Sequence, residues 1–229
     1  MNKYIKLSTL TLSIFISLTL INVSRSSELA EAKITLDDLY QFNDISSIDV
    51  SHSAKQIAYS VSSVDEKKDR YRNDVWLLDV NKNKEKIILK GNPYVGKTKF
   101  SPDDKLLGYL APGRGKYSEY QQIWTIGTKY SSKRQITKLK ANINDFEWSP
   151  DGTQMILVVE SKASDKKIKK TDKQTPKPIV IDRYHFKQDG KEFLGNERQH
   201  LHLLDIKTRT TKQLTKGNSN EILPSWSPD

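Results

Sequence analysis

His200 and His202 lie two apart, which would put both on one face of a strand and make them the pair best suited by type to hold a metal ion. A closed metal site needs more ligands than two. No further His or carboxylate has matching spacing, so the pair reads as strand-face side chains and no metal is expected. The absence of cysteine rules out thiolate zinc sites, a cysteine nucleophile, disulfides and a lipid-modified N-terminal cysteine. Gly113-Arg114-Gly115 has glycines but not the strand-turn-helix setting of a phosphate loop, and reads as a surface turn. A nucleophile elbow, G-x-S-x-G, is absent: Gly115-Lys116-Tyr117-Ser118-Glu119 and Gly217-Asn218-Ser219-Asn220 both fail the spacing. The chain is therefore expected to carry no catalytic residue and no cofactor.

The elements that position these residues are set by an internal repeat. An aromatic-Ser-Pro-Asp turn occurs as Phe100-Ser101-Pro102-Asp103, Trp148-Ser149-Pro150-Asp151 and Trp226-Ser227-Pro228-Asp229, with a degenerate copy at Val50-Ser51-His52-Ser53. From Val50 to Phe100 to Trp148 to Trp226 the steps are 50, 48 and 78 residues. A second element, Val75-Trp76-Leu77-Leu78-Asp79, Ile123-Trp124-Thr125-Ile126 and Leu201-His202-Leu203-Leu204-Asp205, keeps step, with intervals of 48 and 78 from Trp76 to Trp124 to His202. A third closes each unit, as Lys86-Ile87-Ile88-Leu89-Lys90, Arg134-Gln135-Ile136-Thr137 and Lys212-Gln213-Leu214-Thr215. Unrelated landmarks share one period and one enlarged interval, so the repeat is real and its third copy carries an insertion, at about 161–190.

Each unit holds several short apolar or alternating runs broken by Pro, Asp, Gly and Asn, and no helix-length apolar period follows the first 32 residues. A period of this length with about four strands per unit is that of a β-propeller blade. The fold expected is all-β: an incomplete β-propeller of about three four-stranded blades plus the start of a fourth, over residues 33–229. In the turns, proline pre-sets φ, Asp accepts backbone N–H bonds and Gly152 permits positive φ. The aromatic before each Ser is placed to pack between blades, and Asp79 and Asp205 are expected to form Asx turns.

Ahead of the repeat, Lys3 and Lys6 precede an uncharged stretch, Leu7 to Val23, of 17 residues, short of the ~20 apolar residues a spanning helix needs. With small residues following, 1–32 reads as a signal peptide cut after Ser26 or Ala32. The chain is then expected to be exported to the periplasm or cell envelope of a bacterium, and to meet a membrane only if that segment stays uncleaved. Composition is that of a globular protein: 35% hydrophobic and 29% charged, with 38 Lys+Arg against 28 Asp+Glu. A cut after Ser26 removes Lys3, Lys6 and Arg25 and lowers the formal charge from +10 to +7. The one basic cluster, Lys166, Lys167, Lys169, Lys170 and Lys173, has no interleaved aromatic and reads as a solvated loop rather than a nucleic-acid contact.

The aromatic-Ser-Pro-Asp-Gly start, Ile-Trp and x-Leu-Thr elements resemble the blades of TolB-like propellers and, equally, the N-terminal propeller of the prolyl oligopeptidase family of serine peptidases. The stretch Pro178-Ile179-Val180-Ile181-Asp182-Arg183-Tyr184-His185-Phe186-Lys187-Gln188-Asp189-Gly190, followed by Arg198-Gln199-His200-Leu201-His202-Leu203-Leu204-Asp205, is similar to the acylaminoacyl-peptidase and dipeptidyl-peptidase-like branch of that family. The resemblance implies a propeller that admits short peptides to an α/β-hydrolase domain, absent from this chain, where a Ser-Asp-His triad does the chemistry. The alternative it implies is a TolB-like periplasmic propeller acting as a scaffold for an envelope protein partner. The sequence stops inside a blade-opening turn, at Trp226-Ser227-Pro228-Asp229, so the chain is expected to be the front part of a longer protein. Arg183 and Tyr184 are the expected substrate-facing residues, the guanidinium holding a peptide carboxylate or carbonyl. A bulged strand with an interblade ion pair accounts for the same two residues equally well.

Overall fold

The computed structural model describes residues 34–35, 37–92, 95–127, 132–161, 184, 186–189, 192–193 and 197–227. The chain divides into Met1–Thr35 and Leu36–Asp229, and the elements below belong to the second unit. The expected leader at 1–32, the lysine cluster at 166–173 and Arg183 lie outside the described residues.

Three four-stranded antiparallel sheets follow one another, each in simple chain order. The first is β1 (Asp44–Val50), β2 (Gln56–Asp65), β3 (Arg70–Asp79) and β4 (Lys84–Leu89). The second is β5 (Thr98–Phe100), β6 (Leu106–Pro112), β7 (Gln121–Gly127) and β8 (Lys133–Gln135). The third is β9 (Asn142–Trp148), β10 (Gln154–Ser161), β13 (Arg198–Asp205) and β14 (Thr211–Gln213). Between β10 and β13 the described residues include a two-stranded hairpin, β11 (Lys187–Gln188) and β12 (Glu192–Phe193). These are three blades, as the repeat predicts.

Two cores lie between the blades. Ala58, Val75, Leu77 and Leu89 of the first blade meet Phe100, Leu107, Tyr109, Trp124 and Ile126 of the second. Leu110 and Ile123, from the other face of the second blade, meet Ile143, Phe146, Trp148, Met155, Leu157 and Leu204 of the third. Successive strand residues point to opposite faces, so a blade covered on both sides must be apolar on both. β7 obeys this, with Gln122, Ile123, Trp124, Thr125 and Ile126 all buried. In β1, by contrast, Ile45, Ile48 and Val50 are more than half exposed. The second and third blades approach closely at Gly108, where a Cβ would lie 2.9 Å from the Phe146 ring.

The turn after the first strand is the same in every blade. Ser51, Ser101 and Ser149 are buried, and their hydroxyls accept the N–H of Gln56, Leu106 and Gln154 at 3.0, 2.9 and 2.9 Å. Ala54, Asp104 and Gly152 take φ of 56°, 55° and 70°. Positive φ is thus a property of the turn rather than of its one glycine. Asp79 and Asp205 accept the N–H of Lys82 (3.1 Å) and Thr208 (2.7 Å), the expected Asx turns.

Candidate functional site

The first strands of successive blades are neighbours, β1 lying against β5, and in a propeller such strands stand nearest the central channel. The residue just before Val50, Phe100 and Trp148 is Asp49, Lys99 and Glu147 in turn, and Lys99 lies 3.5 Å from both carboxylates. One step back along the strands, Lys97 bonds Asp145 (2.5 Å) and Glu147 (2.7 Å), while Ser47 and Thr98 share a hydroxyl contact. The outcome is a ladder, Asp49–Lys99–Glu147–Lys97–Asp145, whose signs alternate and whose side chains are between 16% and 30% exposed. Burial pushes Asp49 above the usual carboxylate range despite the N–H of Phe100 and the Lys99 ammonium. Burial also disfavours the Lys97 charge, but its bonds to Asp145 and Glu147 outweigh that and raise it. With every charge paired, the ladder holds no free acid, base or nucleophile; it ties together the first strands of the three blades.

Indole N–H groups add to this joint. Trp148 donates to the Lys99 carbonyl (3.2 Å) and Trp226 to the Glu147 carbonyl (3.3 Å), each reaching back to the preceding first strand. The aromatic of the repeat therefore packs between blades and also binds across them.

A second buried polar row runs down the third strands, and sequence reasoning missed its logic. Asp74, Gln122 and His200 occupy equivalent repeat positions and are all buried. Asp74 accepts the Gly91 N–H at 2.6 Å. Gln122 accepts from Leu139 N–H and the Thr137 hydroxyl and donates to the Leu139 and Ala141 carbonyls. His200 Nδ1 lies 2.8 Å from Glu221, which also accepts the Thr215 hydroxyl. Each residue ties its blade to the segment leading to the next. Thr137 and Thr215 accept the N–H of Ile123 and Leu201, which explains the repeated Leu-Thr and Ile-Thr endings. Glu221 is held below the ordinary carboxylate range, first by the His200 bond. Burial and neighbouring His200 lower His202.

The two histidines thus share a strand face as expected, but the carboxylate partnering His200 comes from 21 residues downstream, beyond the reach of a spacing rule. Among the described residues no cluster of three or more His, Cys, Asp or Glu is arranged to hold a metal. Tyr184 is fully exposed; Arg183 lies outside the described residues. At the expected surface turn Gly113 is close-packed, a Cβ there meeting Tyr117 at 2.7 Å, and the Arg114 guanidinium lies 4.8 Å above the Trp124 ring. Among the described residues no helix is long and apolar enough to cross a membrane.

No protein-family model matches the chain. A curated relative, described as an uncharacterized peptidase, YuxL, of Bacillus subtilis (strain 168), is 24% identical over 199 residues. That match takes in 86% of this chain and 30% of the relative. The acylaminoacyl peptidase of Pyrococcus horikoshii matches in structure with TM-score 0.59 and 18% identity, over 77% of this chain and 26% of that one. The isopeptidase AtxE2 matches with TM-score 0.55 and 14% identity, over 80% and 32%. The chain spans under a third of the length of each. In fold, this chain is similar to the propeller domains of prolyl oligopeptidase-family peptidases.

Proposed function

We propose that these blades are the N-terminal propeller portion of an exported serine peptidase, where they gate and position short peptides for an α/β-hydrolase domain outside this sequence. The observation that carries the reading is the match of three successive blades to acylaminoacyl peptidase, over 77% of this chain and 26% of that one. The paired ladder fits the role. A lining without reactive groups can exclude folded chains by size while leaving chemistry to another domain. Arg183 and Tyr184 are the residues offered to the peptide, the guanidinium to a carboxylate or carbonyl.

The test starts from the coding frame past codon 229. The protein of the whole frame is purified and assayed on blocked dipeptide anilides and on a folded protein substrate, with and without a serine-directed fluorophosphonate. Hydrolysis of the short substrates alone, abolished by the fluorophosphonate, is the expected result. Changing Arg183 to Ala should then raise KM with little change in kcat. A frame that adds further blades and no nucleophile elbow overturns the reading in favour of a TolB-like scaffold with an envelope protein partner.

A further inference from the structure

A groove lies away from the ladder, along the outer strand of the second blade. Its volume is 850 Å³, within the range of about 300–1,000 Å³ typical of ligand sites. Its charged lining is entirely basic: Arg114, Lys133, Arg134, Lys138 and Arg209, with no carboxylate among the lining residues. Leu106, Ile136 and Ile206 give it an apolar floor.

The cations converge from separate elements. Arg114 precedes the short 3-10 turn Gly115–Tyr117, Lys133 and Arg134 belong to β8, Lys138 follows it, and Arg209 sits in the β13–β14 turn of the next blade. Lysine and arginine on an edge strand discourage stray pairing, which accounts for Lys133 and Arg134 but not for the others. Arg209 has φ of 59°, so that turn is held in a conformation few side chains adopt. Arg114 is fixed twice, by its ring contact with Trp124 and by its N–H bond to the Gln135 side chain at 2.9 Å. Elsewhere in the same unit lysines have carboxylate partners, as at Lys82–Asp79 and Lys105–Asp103. Gathering like charges costs free energy that an anionic ligand recovers.

We infer that this groove docks an extended acidic peptide, its carboxylates on the basic walls and its apolar side chains on the Leu106–Ile136–Ile206 floor. The apolar floor favours a peptide over a phosphodiester polymer, which would have nothing to place there. The site is separate from the ladder, so the inference does not rest on the peptidase reading.

The experiment measures fluorescence anisotropy of a labelled alternating Glu-Leu decapeptide with the full chain, beside its Gln-Leu counterpart and a polyphosphate of equal charge. The acidic peptide should bind, the Gln-Leu peptide should not, and R134E/R209E should weaken binding about tenfold or more. K55E/K216E makes the same change in net charge outside the groove and should leave affinity within about twofold. K138E alone, with circular dichroism of every variant, keeps the test decisive if the double reversal misfolds. Equal losses in both double variants, tighter binding of polyphosphate, or no binding of the Glu-Leu peptide would each overturn the inference.

Discussion

The turn after the first strand takes the same backbone path in the first blade as in the second and third, but the blades complete it from different places. In the later blades the carboxylate is local. Asp103 and Asp151 accept their own Ser hydroxyls at 2.7 and 2.6 Å and the N–H of Lys105 and Thr153. The first blade has Ser53 there, and Ser51 finds only a 3.4 Å hydroxyl contact. Its carboxylate comes from the next blade instead: Asp104 accepts the N–H of His52 at 2.7 Å and of Ser53 at 2.9 Å. The backbone loop and its buried serine are therefore what the repeat keeps, while the carboxylate that braces the turn is local in two blades and comes from a neighbour, on different amides, in the first.

The largest expected effect probes the serine. Ser149→Ala removes an acceptor for Gln154 N–H and one of the two hydroxyls that Asp151 accepts, the other being Thr153, which should cost about 2 kcal/mol in urea unfolding. Ser51→Ala loses one good bond and should cost about half as much. Equal costs would break the comparison. Next, Asp104→Ala should cost about 1 kcal/mol, since its bonds are exposed. It should also speed hydrogen exchange at the His52 and Ser53 amides, with the turns at Ser101 and Ser149 less affected. Adding Ser53→Asp to that variant should slow exchange at the Lys55 amide and recover part of the lost stability, while His52 and Ser53 stay fast, because a local carboxylate at that position takes the N–H two residues on. In the native chain the same change sets two carboxylates side by side and should give no gain.

The smallest effect is in acid. The hydroxyls of Ser101 and Ser149 hold Asp103 and Asp151 down to about 2. A carboxyl whose folded pKa is depressed stabilises the fold above its unfolded value of about 4 and loses that contribution as pH falls through the folded one. Asp104 is also lowered, its bonds to Ser53 and His52 outweighing burial. Asp103→Asn with Asp151→Asn should flatten the fall of stability between about pH 4 and 2. Asp49 has the opposite sign, being raised by burial, and works against stability as pH rises. Asp49→Asn should therefore steepen the acid limb relative to the native chain, the reverse of Asp103→Asn/Asp151→Asn.

The blades were legible because two properties repeat in one dimension: the aromatic-Ser-Pro-Asp turn and the alternating strands. Asp79 and Asp205 were legible for the same reason, since an Asx turn is closed within three residues. The ladder was not, although its signal is present as Asp49, Lys99 and Glu147 one residue before the turn-opening Val50, Phe100 and Trp148; charges inside a strand read as solvated until the strands are laid side by side. The Asp74, Gln122 and His200 row was hidden because three chemically different residues fill one position. The Asp104 exchange was hidden because its partners are 52 and 51 residues away.

The borrowed carboxylate also has a meaning in time. A ribosome releases the chain from its N-terminus, so His52 and Ser53 emerge some fifty residues before Asp104 does. Until then the first blade waits with two amides unanswered, and the arrival of its successor completes it. Trp148 and Trp226 likewise reach backward to strands already made. The first turn and the earlier first strands are therefore completed only when the following blade is in place.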